Sequence, residues 1–201
     1  MSVDETISLF ITRLSESTGF KYLKSRRALK NTVGPIVLEI LFFSSKWNGE
    51  GSVEINGDLR ISYKKYGAAS TAHSTIAEVS FRPASGYWYD ISDSDKFENV
   101  LKQFEKELKD TAVDMFRRFE KDYESACQYL LDEKFYEYKV ELDFLEEVLG
   151  DEKIQYRVNE IIDTLTDSEY QQIEEYKTGV KNKTWMLNRC NLRFIVDKGY
   201  V

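Results

Sequence analysis

The sequence predicts an α+β protein: an N-terminal helix, an antiparallel β-meander of about 4–6 strands, then several long amphipathic helices packed on the sheet and extending beyond it. Three observations carry this. Ile36 to Phe43 is a run of β-branched, leucine and phenylalanine side chains broken only by Glu39. It is too short for a membrane span and is bounded by Gly34-Pro35 and by Trp47-Asn48-Gly49-Glu50-Gly51. Val53, Ile55, Leu59, Ile61 and Tyr63 then alternate with polar residues, the period of a strand with one wet and one covered face. From Phe97 onward the apolar residues recur at helical spacing instead.

Taken in order, Ser2 and Glu5 have capping-box spacing, and Val3, Ile7, Phe10, Ile11 and Leu14 mark a helix over 3–17 with Gly19 as its C-terminal stop. Phe20, Tyr22 and Leu29 flank a basic run of Lys21, Lys24, Arg26, Arg27 and Lys30. This reads either as an edge strand protected by charge or as an anion-contact surface. Asn56-Gly57-Asp58 is either a tight turn or a glycine bulge within one bent strand. Tyr66 to Thr75 is small and polar and reads as a loop, Ile76 to Phe81 as a strand, and Tyr87-Trp88-Tyr89 as a last short strand or a structured loop.

Ser92 to Asp95 offers N-caps for a stripe of Phe97, Leu101, Phe104, Leu108, Ala112, Met115 and Phe119, which continues in phase to Leu149. A helix that long is atypical of a globule, so breaks are expected near 120–122, with Asp122 as a cap, and near 132–135. The stripe suits a coiled-coil homodimer through the helical half as readily as a folded-back hairpin. Gly150-Asp151 ends the block. Ile154, Val158, Ile161 and Leu165 mark another helix, and Thr166-Asp167-Ser168 caps the next. Trp185 to Leu187, then Leu192, Phe194 and Val196, read as a helix followed by a strand.

Composition bounds the function. Aromatic content of 14% and hydrophobic content of 42% specify a folded chain. With no apolar leader and no window near the roughly 18 apolar residues of a membrane helix, the expected location is the cytoplasm and no membrane partner is expected. Cys127 and Cys190 form no CxxC and read as reduced thiols. The net charge of −7 is uneven: residues 1–92 carry 11 basic and 9 acidic side chains, residues 93–201 carry 17 and 26. Nucleic acid is therefore disfavoured as a partner, and a basic protein is favoured.

No catalytic signature is present. His73 is the sole histidine, so an enzyme reading would need it beside distant carboxylates; phosphate-binding glycine patterns, HExxH and GxSxG are absent, and no cofactor or metal is implied. Glu146-Glu147 and Glu174-Glu175 are adjacent on helices and point about 100° apart, unlike a carboxylate dyad. The aromatic segments are the stronger candidates: Lys46, Trp47 and Asn48 after the central strand, and Tyr87, Trp88 and Tyr89 at the end of the sheet region. They read either as plugs between sheet and helices or, if they surface together, as a partner-binding patch.

Gly19-Phe20-Lys21, the basic run, Ser45-Lys46-Trp47-Asn48, Val53-Glu54-Ile55-Asn56 and Phe116-Arg117-Arg118-Phe119-Glu120 together resemble an uncharacterised bacterial α+β domain family. The resemblance covers residues 3 to 131 and implies a helix, an antiparallel sheet and closing helices. Some members have been suggested to be immunity proteins of toxin systems. It implies a domain over 1–131, with 132–201 as a C-terminal helical extension that is either separate or part of the same domain. No catalytic residues are implied. The expected function is non-enzymatic protein binding, immunity- or adaptor-like. The alternatives are nucleic-acid binding through segment 21–30 and an enzyme with a site near His73.

Overall fold

The computed structural model describes residues 1–64, 75–132, 140–179 and 191–201. His73, Trp185 to Leu187, Cys190 and most of the 66–75 loop lie outside them, as does most of the expected break at 132–135. The chain divides into two compact units, Met1–Ala126 and Cys127–Val201. The division falls inside a helix, a few residues before the 131/132 boundary implied by the resemblance.

The first unit is the α+β domain. Helix α1 (Val3–Thr18) begins at the capping box: the Glu5 amide donates to Ser2 Oγ at 3.3 Å, and the Ser2 amide to Glu5 Oε2 at 2.7 Å. Gly19 ends it at φ 75, a left-handed conformation that glycine adopts without a Cβ clash. The strands follow as β1 (Lys21–Leu23), β2 (Ala28–Val33), β3 (Ile36–Ser44), β4 (Glu54–Tyr63), β5 (Thr75–Phe81) and β6 (Tyr89–Asp90). They form one antiparallel sheet in the order β1-β2-β3-β4-β5, with β6 also paired to β4.

Asn56-Gly57-Asp58 is neither turn nor bulge. All three residues pair in register with Phe43, Phe42 and Leu41 of β3, and the irregularity in β4 lies instead at Ile61/Ser62. Gly57 keeps the inward phase of Ile55, Leu59 and Ile61, and a Cβ there would sit 3.5 Å from a ring carbon of Phe104. That is ordinary van der Waals contact, so the Phe104 ring packs directly over this position of the strand.

Alternation fixes the two faces. Ile36, Leu38, Ile40 and Phe42 of β3 point inward with Leu59, Ile61, Val79 and Phe81, all buried. Helix α2 (Ser94–Leu108), capped by Asp93, brings Phe97, Leu101, Phe104 and Leu108 to that face. Phe104 is the hub: its ring centroid lies 5.5 Å from Phe10, 6.1 Å from Phe42, 6.1 Å from Phe81 and 4.7 Å from Tyr89. A π-helical turn at Lys109–Val113 then shifts the stripe so that Ala112 and Met115 stay buried. Helix α3 (Asp114–Lys121) ends at an extended Asp122, whose carboxylate accepts from the Ser125 amide at 2.9 Å to cap α4 (Tyr123–Leu131). The break thus falls where the sequence places it.

The second unit contains the end of α4 and α5 (Leu142–Leu149), α6 (Asp151–Asp163), α7 (Asp167–Lys177) and α8 (Leu192–Asp197). Thr166 and Glu169 form a second capping box at the start of α7. The expected C-terminal strand is a helix: Leu192, Ile195 and Val196 are the buried positions, a three-to-four spacing, and Leu192 and Val196 join Ile173 in a small cluster. Asn191 precedes it, its side chain accepting from the Leu142 amide at 2.8 Å and donating to the Val140 carbonyl at 2.6 Å. Cys127 is wholly buried. No described helix is long and apolar enough to cross a membrane.

Candidate functional site

The β3–β4 connection is built as a rigid platform. The Ser45 amide donates to the Glu54 carbonyl at 3.2 Å and the Trp47 amide to Ser45 Oγ at 3.2 Å. Asn48 imitates a strand neighbour: its Nδ2 donates to the Glu54 carbonyl and its Oδ1 accepts from the Glu54 amide, both at 2.9 Å. Gly49 and Ser52 exchange two backbone hydrogen bonds, at 2.9 and 3.1 Å. Beyond them, Val53 donates to Ser92 Oγ at 2.9 Å and its carbonyl accepts from Ile91 at 2.8 Å. The hydroxyl of Ser92 donates to Asp90, whose other oxygen is 2.8 Å from Lys96 Nζ.

Burial pulls the Asp90 carboxyl upward in pKa, but the hydrogen bonds from Lys96 and Ser92 outweigh it and hold the group below its usual range. Asp90 first, and then Asp93, raise Lys96 in turn. The pair belongs to the brace of the turn.

Trp47 stands on this platform 79% exposed, with Lys46 Nζ 4.9 Å from its ring centroid. It does not plug the sheet. At the same end of the sheet, the chain leaves the β4 edge after Phe81, opposite Gly57, and rejoins it at Tyr89, opposite Ile55. At the start of the excursion Arg82 donates to the Gly57 carbonyl at 2.9 Å, to the Phe81 carbonyl at 2.8 Å and to Asp58 Oδ1 at 2.9 Å. The guanidinium lies 4.7 Å from the Tyr87 ring centroid, and Tyr87 packs edge-on against Trp88 at 5.0 Å.

The six sequence candidates therefore separate. Trp47 and Tyr87 (57% exposed) are open surface, Lys46 is exposed beside Trp47, and Trp88 is half-buried under Tyr87. Asn48 holds the turn. Tyr89 is 3% exposed with its ring against Phe104, so it belongs to the core and offers a partner no ring surface. Burial first, and then the nearby Glu107 carboxylate, push its phenol well above the usual tyrosine range.

Two further residues stand at this end of the sheet that sequence reasoning passed over. Phe43 is the outward position of β3 opposite Asn56 and is 40% exposed. Arg82 follows the last residue of β5, just before Pro83. The alternation of β3 carries the signal for Phe43; none singles out Arg82, because its task arises only from the departure of the chain. Asn56, wholly buried on the outward side, donates to the Tyr87 carbonyl at 3.4 Å.

A cleft of about 270 Å³ lies beside α1 and α2, with Arg13 and Glu98 paired at 3.1 Å in its wall. Among the described residues no group of three His, Cys, Asp or Glu side chains is placed to hold a metal ion.

Fold and site together define an α+β domain that presents exposed aromatic rings from a hydrogen-bonded turn. Comparison with protein-family models, curated proteins and solved structures gives no match for the chain.

Proposed function

We propose that this chain is a non-enzymatic protein-binding protein, immunity- or adaptor-like as the family resemblance implies, and that Trp47, with Lys46, Phe43, Tyr87 and Trp88, engages its partner. The observation that carries the reading is the exposure of Trp47 on a turn fixed by side-chain and backbone hydrogen bonds. A large apolar ring left in water lowers stability or solubility unless a partner covers it, and a pre-ordered turn loses little entropy on binding. Trp, Tyr and Arg are also the side chains that dominate interface energetics.

Charge supports a basic partner. Met1–Ala126 holds 18 basic and 19 acidic side chains, and Cys127–Val201 holds 10 and 16, so the excess negative charge sits in the helical unit. Such a field accelerates encounter with a positively charged protein. Nucleic-acid binding through segment 21–30 is the weaker reading, because Arg26 is paired with Glu39 at 2.9 Å and Arg27 with Asp4 at 2.7 Å.

The test is affinity capture from the native host with wild-type and Trp47→Ala baits, at low and moderate salt, followed by identification of the bound protein. A single partner retained by the wild type, lost by the variant and weakened by salt is expected. Equal capture by both baits sinks the reading.

A further inference from the structure

On the outward face, sheet register lines up Lys21, Lys30, Glu39, Arg60 and Glu78 in one row across β1 to β5. The two carboxylates of the row each have an arginine: Glu39 lies 2.9 Å from Arg26, and Glu78 lies 3.0 Å from Arg60. Lys21 and Lys30 do not share in this. They are direct cross-strand partners, and neither ammonium makes an ion pair or hydrogen bond with a described residue. Lys24, in the turn between the two strands, is a third such ammonium.

Like charges placed directly opposite on one face, with Cβ atoms roughly 5 Å apart, destabilise a strand pair. A bound carboxylate bridging both ammoniums would convert that repulsion into two charge-assisted hydrogen bonds. Protection of the sheet edge accounts for a lysine on β1; Lys30, inside the sheet on β2, stands between Lys21 and Glu39, whose carboxylate is taken by Arg26.

We infer that the β1–β2 hairpin is a docking surface for an acidic peptide segment, held by Lys21 and Lys30 with Lys24 beside them. The extent of free charge selects the ligand. Farther along the row the residues are carboxylates or arginines already matched, so along this row the unpaired ammoniums end at Lys30, and with Lys24 they fit two or three carboxylates. A nucleic acid would carry its phosphates past that limit, against a chain of net charge −7. An extended peptide with acids at alternate positions places its carboxylates on one side, toward the lysines. This surface is independent of the Trp47 patch.

The experiment measures binding of a fluorescein-labelled hexapeptide of alternating glutamate and serine by anisotropy at about 50 mM salt, with a single-stranded oligonucleotide of equal charge as competitor. Lys21→Glu, Lys30→Glu and the milder Lys21→Gln are compared with Lys102→Glu, an exposed site on α2. Wild type and Lys102→Glu should bind alike, and each hairpin charge reversal should weaken binding by roughly tenfold or more. Lys21→Glu should also melt about 1–3 °C higher than wild type, since it replaces a repulsive pair by an attractive one. Lys21→Gln should lie between the two in both readouts. Absence of peptide binding, binding unchanged in the hairpin variants, or preferential binding of the oligonucleotide would each overturn the inference.

Discussion

Trp47→Ala separates a ring that serves recognition from one that serves the fold. Trp47 exposes 79% of its surface, so of the ~250 Å² a tryptophan can bury, about 200 Å² remains for a partner to cover. At ~25 cal/mol per Å² the ceiling is about 5 kcal/mol. Incomplete coverage and ordering of the facing side chains bring the expected loss to about 2–4 kcal/mol, or roughly 30- to 1,000-fold in Kd. The folded chain should hardly notice, because the amide of residue 47 keeps its bond to Ser45 Oγ and the Lys46 contact lies in water, so stability should change by less than about 0.5 kcal/mol. The assay pairs calorimetric titration against the captured partner with thermal melting of the free variant. A change in Kd below about threefold refutes the role assigned to the ring. A fall in Tm of more than about 3 °C shows that the ring supports the fold.

Phe104→Ala removes a buried ring packed on Phe10, Phe42, Phe81 and Tyr89; urea titration should give a loss of about 3–5 kcal/mol with the m-value unchanged. Asn48→Ala deletes both side-chain bonds to Glu54, costing about 1–3 kcal/mol. It should also speed hydrogen exchange at the Glu54 amide and weaken partner binding through disorder of the turn. Asp90 has a folded-state pKa below its unfolded value, so its contribution is present above the ordinary Asp range near pH 4 and is lost as pH falls through the folded pKa. Lys96→Met should therefore move acid unfolding to higher pH while stability at pH 7 falls only slightly, as expected of a surface pair. Coincident acid-unfolding curves for the variant and wild type would remove Lys96 from the brace.

The parts of the fold legible in the sequence are those set by nearest neighbours. Ser2 with Glu5, the cap at Thr166-Asp167-Ser168, and Asp122 as a break are each decided within four residues, and each stands in the structure where the sequence places it. Asn56-Gly57-Asp58 has the residues of a turn but stands as regular strand, because its pairing with Leu41 to Phe43 of β3 is set by residues more than ten positions away. The C-terminal strand failed on a coincidence of period, since Leu192, Phe194 and Val196 alternate while Ile195, between them, is fully buried and turns the same segment into a helical face.

The candidate site shows the same limit more sharply. Tyr87, Trp88 and Tyr89 are chemically alike and adjacent, so sequence can only treat them together. Pairing of Tyr89 with Ile55, a residue that faces the core, sends its ring inward onto Phe104. Two residues earlier, strand alternation alone would send Tyr87 inward as well. It stays outside because the chain has already left the β4 edge there, and Arg82 fills the gap in the ladder while lying against the Tyr87 ring. Exposed rings and core are thus separated by one irregular excursion. If Arg82→Ala frees the Gly57 carbonyl, the excursion should loosen and Tyr87 should lose its fixed position. Weaker partner binding with the Trp47 turn intact would then show that both aromatic segments act as one surface.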